Sequence, residues 1–137
     1  MADIEIGQIF LDMQATNYYQ SKPKYHIALS SAEYDDDNII CFVINTEHNI
    51  KDYALGCNKS SSKFIISQGT FSFITKQSAI MLHQEVLYIL EEMYKDSIKL
   101  LEVADIELCR QIKNCIDFND ISVKFGNLIK ECFKSIK

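Results

Sequence analysis

Apolar and polar positions alternate most clearly in residues 24–31 (KYHIALSS). Tyr25, Ile27 and Leu29 fall on one side of a period of two, with His26, Ala28 and Ser30 on the other. That is the pattern of a strand with one covered face. Residues 39–44 (IICFVI) are continuously apolar, as expected of a strand covered on both faces. The acidic connector AEYDDDN between them is short, so the two segments are expected to pair antiparallel at the centre of a small sheet or barrel.

Around this pair, Ile4, Ile6, Ile9 and Phe10 predict a first strand, with Gly7 marking a bulge or a close backbone approach. Residues 63–67 and 70–75 read as a hairpin about Gln68 and Gly69, and 78–84 and 98–103 as further strands. Residues 85–94 fit either a buried strand or two turns of helix, with strand the first choice. From Ala104 the period lengthens. Leu108, Ile112, Cys115 and Ile116 share one helical face, with Asp105 placed to cap its start. After a break at 117–120, Ile121, Phe125, Leu128, Ile129, Cys132, Phe133 and Ile136 repeat the pattern. The expectation is one mainly β (α+β) domain over 1–137. It consists of a barrel of five to seven short antiparallel strands in 1–103, followed by two C-terminal helices in 104–137.

A composition of 47% hydrophobic and 24% charged residues is that of a soluble globular protein. A net charge of −5 disfavours a broad footprint on duplex nucleic acid and leaves room only for a local basic groove. The N-terminus lacks the basic start and apolar core of a signal peptide, and the longest apolar run falls far short of the ~20 residues that span a bilayer. These features, with cysteines that read as small reduced hydrophobes, predict a cytoplasmic protein with no membrane partner.

Candidate chemistry gathers near the central pair. The stretch DMQATNYYQSKP reads as a loop in which Tyr18, Tyr19, Lys22 and the following Lys24 mix aromatic and basic groups. Such a mixture stacks bases and holds phosphates. The competing reading is a surface loop whose tyrosines pack over the barrel mouth. His26, next to that loop, has the chemistry of a general acid or base, or else is a satisfied structural histidine. His48 follows the core strand at a polar exit. None of the three histidines stands at metal-ligand spacing from another, the five cysteines form no zinc knuckle, and Asp35 to Asp37 read as a solvated hairpin tip. No cofactor or metal is expected. The lone arginine, Arg110, is expected on the outer face of the first helix.

Several of these segments resemble the PemK/MazF-like family of growth-inhibiting toxins, which are small SH3-like barrels ending in a helix. Residues 6–10 (IGQIF) look like the family's opening strand, and 24–30 (KYHIALS) stand where the family has Arg-Pro, apolar residues and Leu-Ser. Residues 42–46 (FVINT) resemble the strand that leads into a polar threonine. The resemblance implies a metal-independent endoribonuclease acting on single-stranded RNA in a toxin–antitoxin setting, with a homodimer and an antitoxin or other protein as partners. Carried over, the family's catalytic arginine and Ser/Thr become Lys24 and Thr46, with His26 as a substitute acid/base. Tyr18, Tyr19, Lys22 and His48 would line the RNA. Lysine keeps the charge of the family's arginine and loses its planar fork. The alternative is a catalytically inert SH3-like interaction module linked to plasmid maintenance or phage defence.

Overall fold

The computed structural model describes residues 4–14, 23–31, 38–83 and 85–135, with Ile50 described by its backbone alone. Eight strands precede two helices: β1 (Gln8–Asp12), β2 (Lys24–Ala28), β3 (Asn38–Thr46), β4 (Gly56–Asn58), β5 (Lys63–Ile66), β6 (Ser78–Met81), β7 (Val86–Ile89), β8 (Ile98–Val103), α1 (Ile106–Cys115) and α2 (Val123–Lys134). The central pair forms as expected, antiparallel, with Tyr25 opposite Ile44 and Ala28 opposite Cys41. The sheet runs β4-β5-β6-β3-β2-β1-β8, and β7 joins β3 off that path.

This is a mainly antiparallel α+β fold, with eight strands in place of the expected five to seven. The barrel does not close, since β4 and β8, the ends of the order, do not pair among the described residues.

β3 organises the rest because it is long enough to serve two partners on one edge. Residues 38–41 pair with β7 and residues 44–46 with β6, while β2 occupies the other edge. Both faces of β3 are also covered, by the helices on one side and by Tyr88 and Met93 on the other, which is why Ile39 to Ile44 are all buried. On the inner face, Ile9, Ile27, Phe42, Ile44, Phe64 and Ile80 meet Ile112, Ile129 and Cys132 of the helices. On the far face, Phe10, Ala28, Ile39 and Cys41 meet Tyr88 and Met93 in a second, smaller core. A 3₁₀ turn, Leu90–Tyr94, carries the chain from β7 on one side of β2 to β8 on the other.

The helices sit where the apolar period placed them. Cys109, Ile112 and Cys115 are the buried side chains of α1, and Leu128, Ile129, Cys132 and Phe133 are among those of α2. Asp105 stands at the N-cap of α1, although its side chain makes no capping hydrogen bond. Gly7 is the close approach that its place in a strand pattern suggested. Its φ is +95°, and a Cβ there would lie 2.8 Å from the Ala104 carbonyl oxygen and 3.0 Å from Cys109 Sγ. The backbone at Gly7 thereby links β2 to the start of α1, donating to Ala28 and accepting from Ala104, both at 2.8 Å.

Three further expectations need correction. Residues 70–75 are not a strand. They form a turned loop in which Phe71 and Ile74 enter the core, and β5 pairs instead with β6. That loop reaches across to β8, where Glu102 Oε1 accepts from the Ser72 amide and hydroxyl, both at 3.0 Å. Side chains thus span part of the gap that backbone pairing leaves open. Residues 85–94 are neither wholly strand nor α-helix, since β7 gives way to the 3₁₀ turn at Leu90. The thiols are not all reduced either: Cys57 of β4 and Cys115 of α1 form a disulfide, Cα atoms 5.5 Å apart. A sequence separation of 58 concealed the pair until α1 was laid against β4. No helix among the described residues is long and apolar enough to cross a membrane.

Candidate functional site

Strand alternation decides which of the candidate residues can act together. In β2, Lys24, His26 and Ala28 point to the far face, and Tyr25 and Ile27 to the inner face. Lys24 stands level with Asn45, and its Nζ donates to Asn45 Oδ1 at 3.1 Å. Thr46, one residue beyond Asn45, falls on the inner face. Lys24 and Thr46 therefore occupy opposite sides of the sheet. His48 is exposed beyond the end of β3. Tyr18, Tyr19 and Lys22 lie outside the described residues, as do Asp35 to Asp37.

His26 is on the same face as Lys24 but is wholly buried. Phe10 stacks on it at 5.0 Å between centroids, and Tyr88 meets it edge-on at 5.3 Å. Its Nδ1 lies 3.1 Å from the Lys24 carbonyl oxygen, and because a carbonyl only accepts, Nδ1 is the nitrogen that carries the proton. Burial lowers its pKa to about 4, outweighing the opposing pull of that hydrogen bond and of Asp12. The imidazole is neutral at physiological pH and sealed from any solvent-borne substrate. Of the two readings open for His26, the structural one describes its surroundings.

Beside it is a buried carboxylate that the sequence reading passed over. Asp12 Oδ2 accepts from the Tyr88 hydroxyl at 2.6 Å, and Oδ1 accepts from the Gln14 amide at 2.9 Å. The signal was faint, a lone aspartate ending an apolar strand and a tyrosine 76 residues away.

A second polar group extends the far face toward β5. Lys63 Nζ donates to Glu47 Oε1 at 2.8 Å and to the Tyr53 hydroxyl at 3.3 Å. These bonds, that to Glu47 first, raise the Lys63 pKa and hold the ammonium charged. Lys24 and Lys63 thus flank Asn45 and Glu47 along one surface, each lysine donating to a neighbour of its own. On the opposite, inner face Tyr25 stacks on Phe73 at 4.4 Å, and Phe73 on Phe71 at 5.8 Å. Arg110 stays on α1, with Nε 3.9 Å from Glu107 Oε1, and among the described residues that Nε has no hydrogen-bond partner.

Among the described residues, no group of three His, Cys, Asp or Glu side chains is placed to hold a metal ion. The arrangement defines an antiparallel α+β domain with a buried aspartate–tyrosine–histidine cluster beneath a lysine-bearing surface. No protein-family model, curated protein or solved structure matches the chain.

Proposed function

We propose that the domain is a catalytically inert protein-interaction module that takes an extended segment of a partner protein along the edge of β7. The observation that carries this reading is a strand edge that no other strand covers among the described residues, with the Ile89 amide held by Glu92 Oε1 at 3.0 Å. Strand β7 (VLYI) holds no charge, proline or glycine, and among the described residues it pairs with β3 alone. Leu87 and Ile89 are 40% and 39% exposed. Edge strands of monomeric proteins are ordinarily blunted by charge, bulges, brevity or cover.

The other two edges are blunted in these ways. Strand β4 has three residues and is tied by the disulfide. Strand β8 carries exposed Lys99 and Glu102, the latter engaged by Ser72, and its register on β1 is irregular. A strand added to β7 would find main-chain partners together with apolar contacts at Leu87 and Ile89.

The distribution of charged groups supports the same choice over a ribonuclease. Stabilising a transferring phosphate needs donors aimed at one point. Here Lys24 and Thr46 lie on opposite faces, and His26 is sealed with its pKa depressed.

Selection of extended peptides from a random library, followed by hydrogen exchange on the complex, tests this reading. Selected peptides are expected to protect the amides of Val86–Ile89, and Leu87→Lys is expected to weaken binding at least about tenfold, equivalent to about 1.4 kcal/mol. Cleavage of single-stranded RNA by the purified protein, abolished by Lys24→Ala and by Thr46→Ala, would overturn it.

A further inference from the structure

We infer that the Cys57–Cys115 bridge is a reversible clasp, opened by a dithiol reductant and re-formed by a small-molecule disulfide, that decides whether edge strand β4 stays on the sheet. The inference stands on geometry independent of the β7 reading, and three observations carry it.

The sulfurs are divided. Of five cysteines, Cys57 and Cys115 are bridged, while Cys41, Cys109 and Cys132 are buried thiols outside any disulfide. Domains framed by disulfides in oxidising compartments pair their cysteines. Three persistent thiols beside one bridge fit surroundings in which thiols and disulfides exchange. Burial also raises the Cys41 thiol well above its ordinary pKa and the Cys109 thiol to about 11. Both stay protonated and out of exchange with the bridge.

Access to the two bridged sulfurs is unequal. Cys57 is exposed on β4, whereas Cys115 is 1% exposed at the last residue of α1. An external thiolate therefore meets Cys57 Sγ. Attack there breaks the S–S bond, and its electron pair leaves with Cys115, which takes up a proton. The reductant's second thiolate then attacks the mixed disulfide, closes its own disulfide and releases Cys57. Two electrons pass from the dithiol to the protein, and a small disulfide reverses both steps.

Little besides the bridge holds what it holds. Strand β4 has three residues, none of them buried, and among the described residues pairs only with β5 at the end of the sheet. Leu55 before it is 63% exposed, and the 3₁₀ turn after it, Lys59–Ser61, has no buried residue. Segments with so few apolar contacts open at low free energy. With the bridge cut, β4 can leave β5 and uncover the edge of Lys63–Ile66, whose other edge is held by β6.

The test is hydrogen exchange with mass spectrometry on the full chain, untreated and with dithiothreitol, beside Cys57→Ser. Iodoacetamide is expected to label Cys57 in the reduced, still folded protein. Amides of Gly56–Asn58 and Lys63–Ile66 are expected to lose protection by at least about tenfold, while the β2–β3 ladder keeps its own. Cys57→Ser should show the same loss without reductant, and glutathione disulfide should restore both bridge and protection in the wild type. A bridge that resists dithiothreitol until the protein is denatured would overturn the inference. So would unchanged protection of the β4–β5 amides in both the reduced protein and Cys57→Ser.

Discussion

On its inner face the β1–β2–β3 sheet meets the helices through Ile9, Ile27 and Phe42, all without solvent exposure. On its far face the same three strands present Phe10 and Asp12, His26, and Ile39 to the side of Tyr88 and Met93. The inner face uses volume and apolar area alone, so its stability has little reason to follow pH. The far face encloses an imidazole and a carboxylate, whose burial is tolerable only because each has a partner. A strand pair with two covered faces can thus hold one face for packing and the other for polar specificity.

The largest effect that would sharpen this contrast is a truncation on the inner side. Phe42→Ala removes a wholly buried ring between β3 and the helices, and a loss of about 3–5 kcal/mol is expected, read as a lowered midpoint in urea. That loss should be similar at pH 7 and at pH 5, because the core cluster that holds Phe42 contains no carboxylate or imidazole among the described residues.

The far face should behave differently. The His26 pKa is lowered from 6.5 to about 4 by burial, so between those values the unfolded chain binds a proton that the native one does not. Stability from this group is complete above about pH 6.5 and falls as pH drops toward about 4. The whole difference is about 3 kcal/mol at 1.36 kcal/mol per pKa unit. Urea midpoints across that range for wild type and His26→Phe should diverge, the variant losing less toward acid. Parallel curves would mean that His26 is not sealed.

This contrast was only half visible in the chain. The period of two in β2 and the unbroken apolar run in β3 announced a paired strand with two covered faces, and the helical spacing from Leu108 to Phe133 announced the helices. Those signals are local, since each strand or helix face repeats its own residues. What filled the far face, and what tied α1 to β4, was not local. Asp12 and Tyr88 are 76 residues apart, and Cys57 and Cys115 are 58 apart. No periodicity records such pairs. Residues 70–75 misled because Phe71 and Phe73 mimic strand alternation while their turns obey hydrogen bonds such as Gly69 N–H to the Ile74 carbonyl at 2.9 Å. Of the residues carried over from the resemblance to the toxin family, Lys24 stands level with Asn45, and the single step from Asn45 to Thr46 crosses to the opposite face.

A smaller loss is expected where one partner is taken from the buried carboxylate. Tyr88→Phe keeps the ring against Phe10 and His26 but deprives Asp12 Oδ2 of its 2.6 Å donor. An unsatisfied buried acceptor costs about 1–3 kcal/mol, and more where it is charged. The loss should shrink when Asp12→Asn is already present, because a neutral amide needs the donor less. Additive losses in that double-mutant cycle would show that the ring, and not the hydrogen bond, is what β7 contributes.

The smallest effect separates the rim of the far face from its interior. Lys24 Nζ reaches Asn45 Oδ1 at 3.1 Å from a half-buried position, one strand step from the sealed imidazole of His26. Replacing it by methionine keeps most of the apolar stem and removes one charge-assisted bond that water can partly replace. The expected change is within about 1 kcal/mol. Lys24 also disfavours the protonated imidazole through its own positive charge. Its removal should therefore raise the His26 pKa slightly and move the acid limb of the stability curve to higher pH. NMR titration of the His26 ring in Lys24→Met reads that shift directly. An unchanged His26 titration with an unchanged urea midpoint would show that the rim lysine and the buried cluster are electrostatically separate. The far face would then be a sealed polar core with an unrelated surface above it.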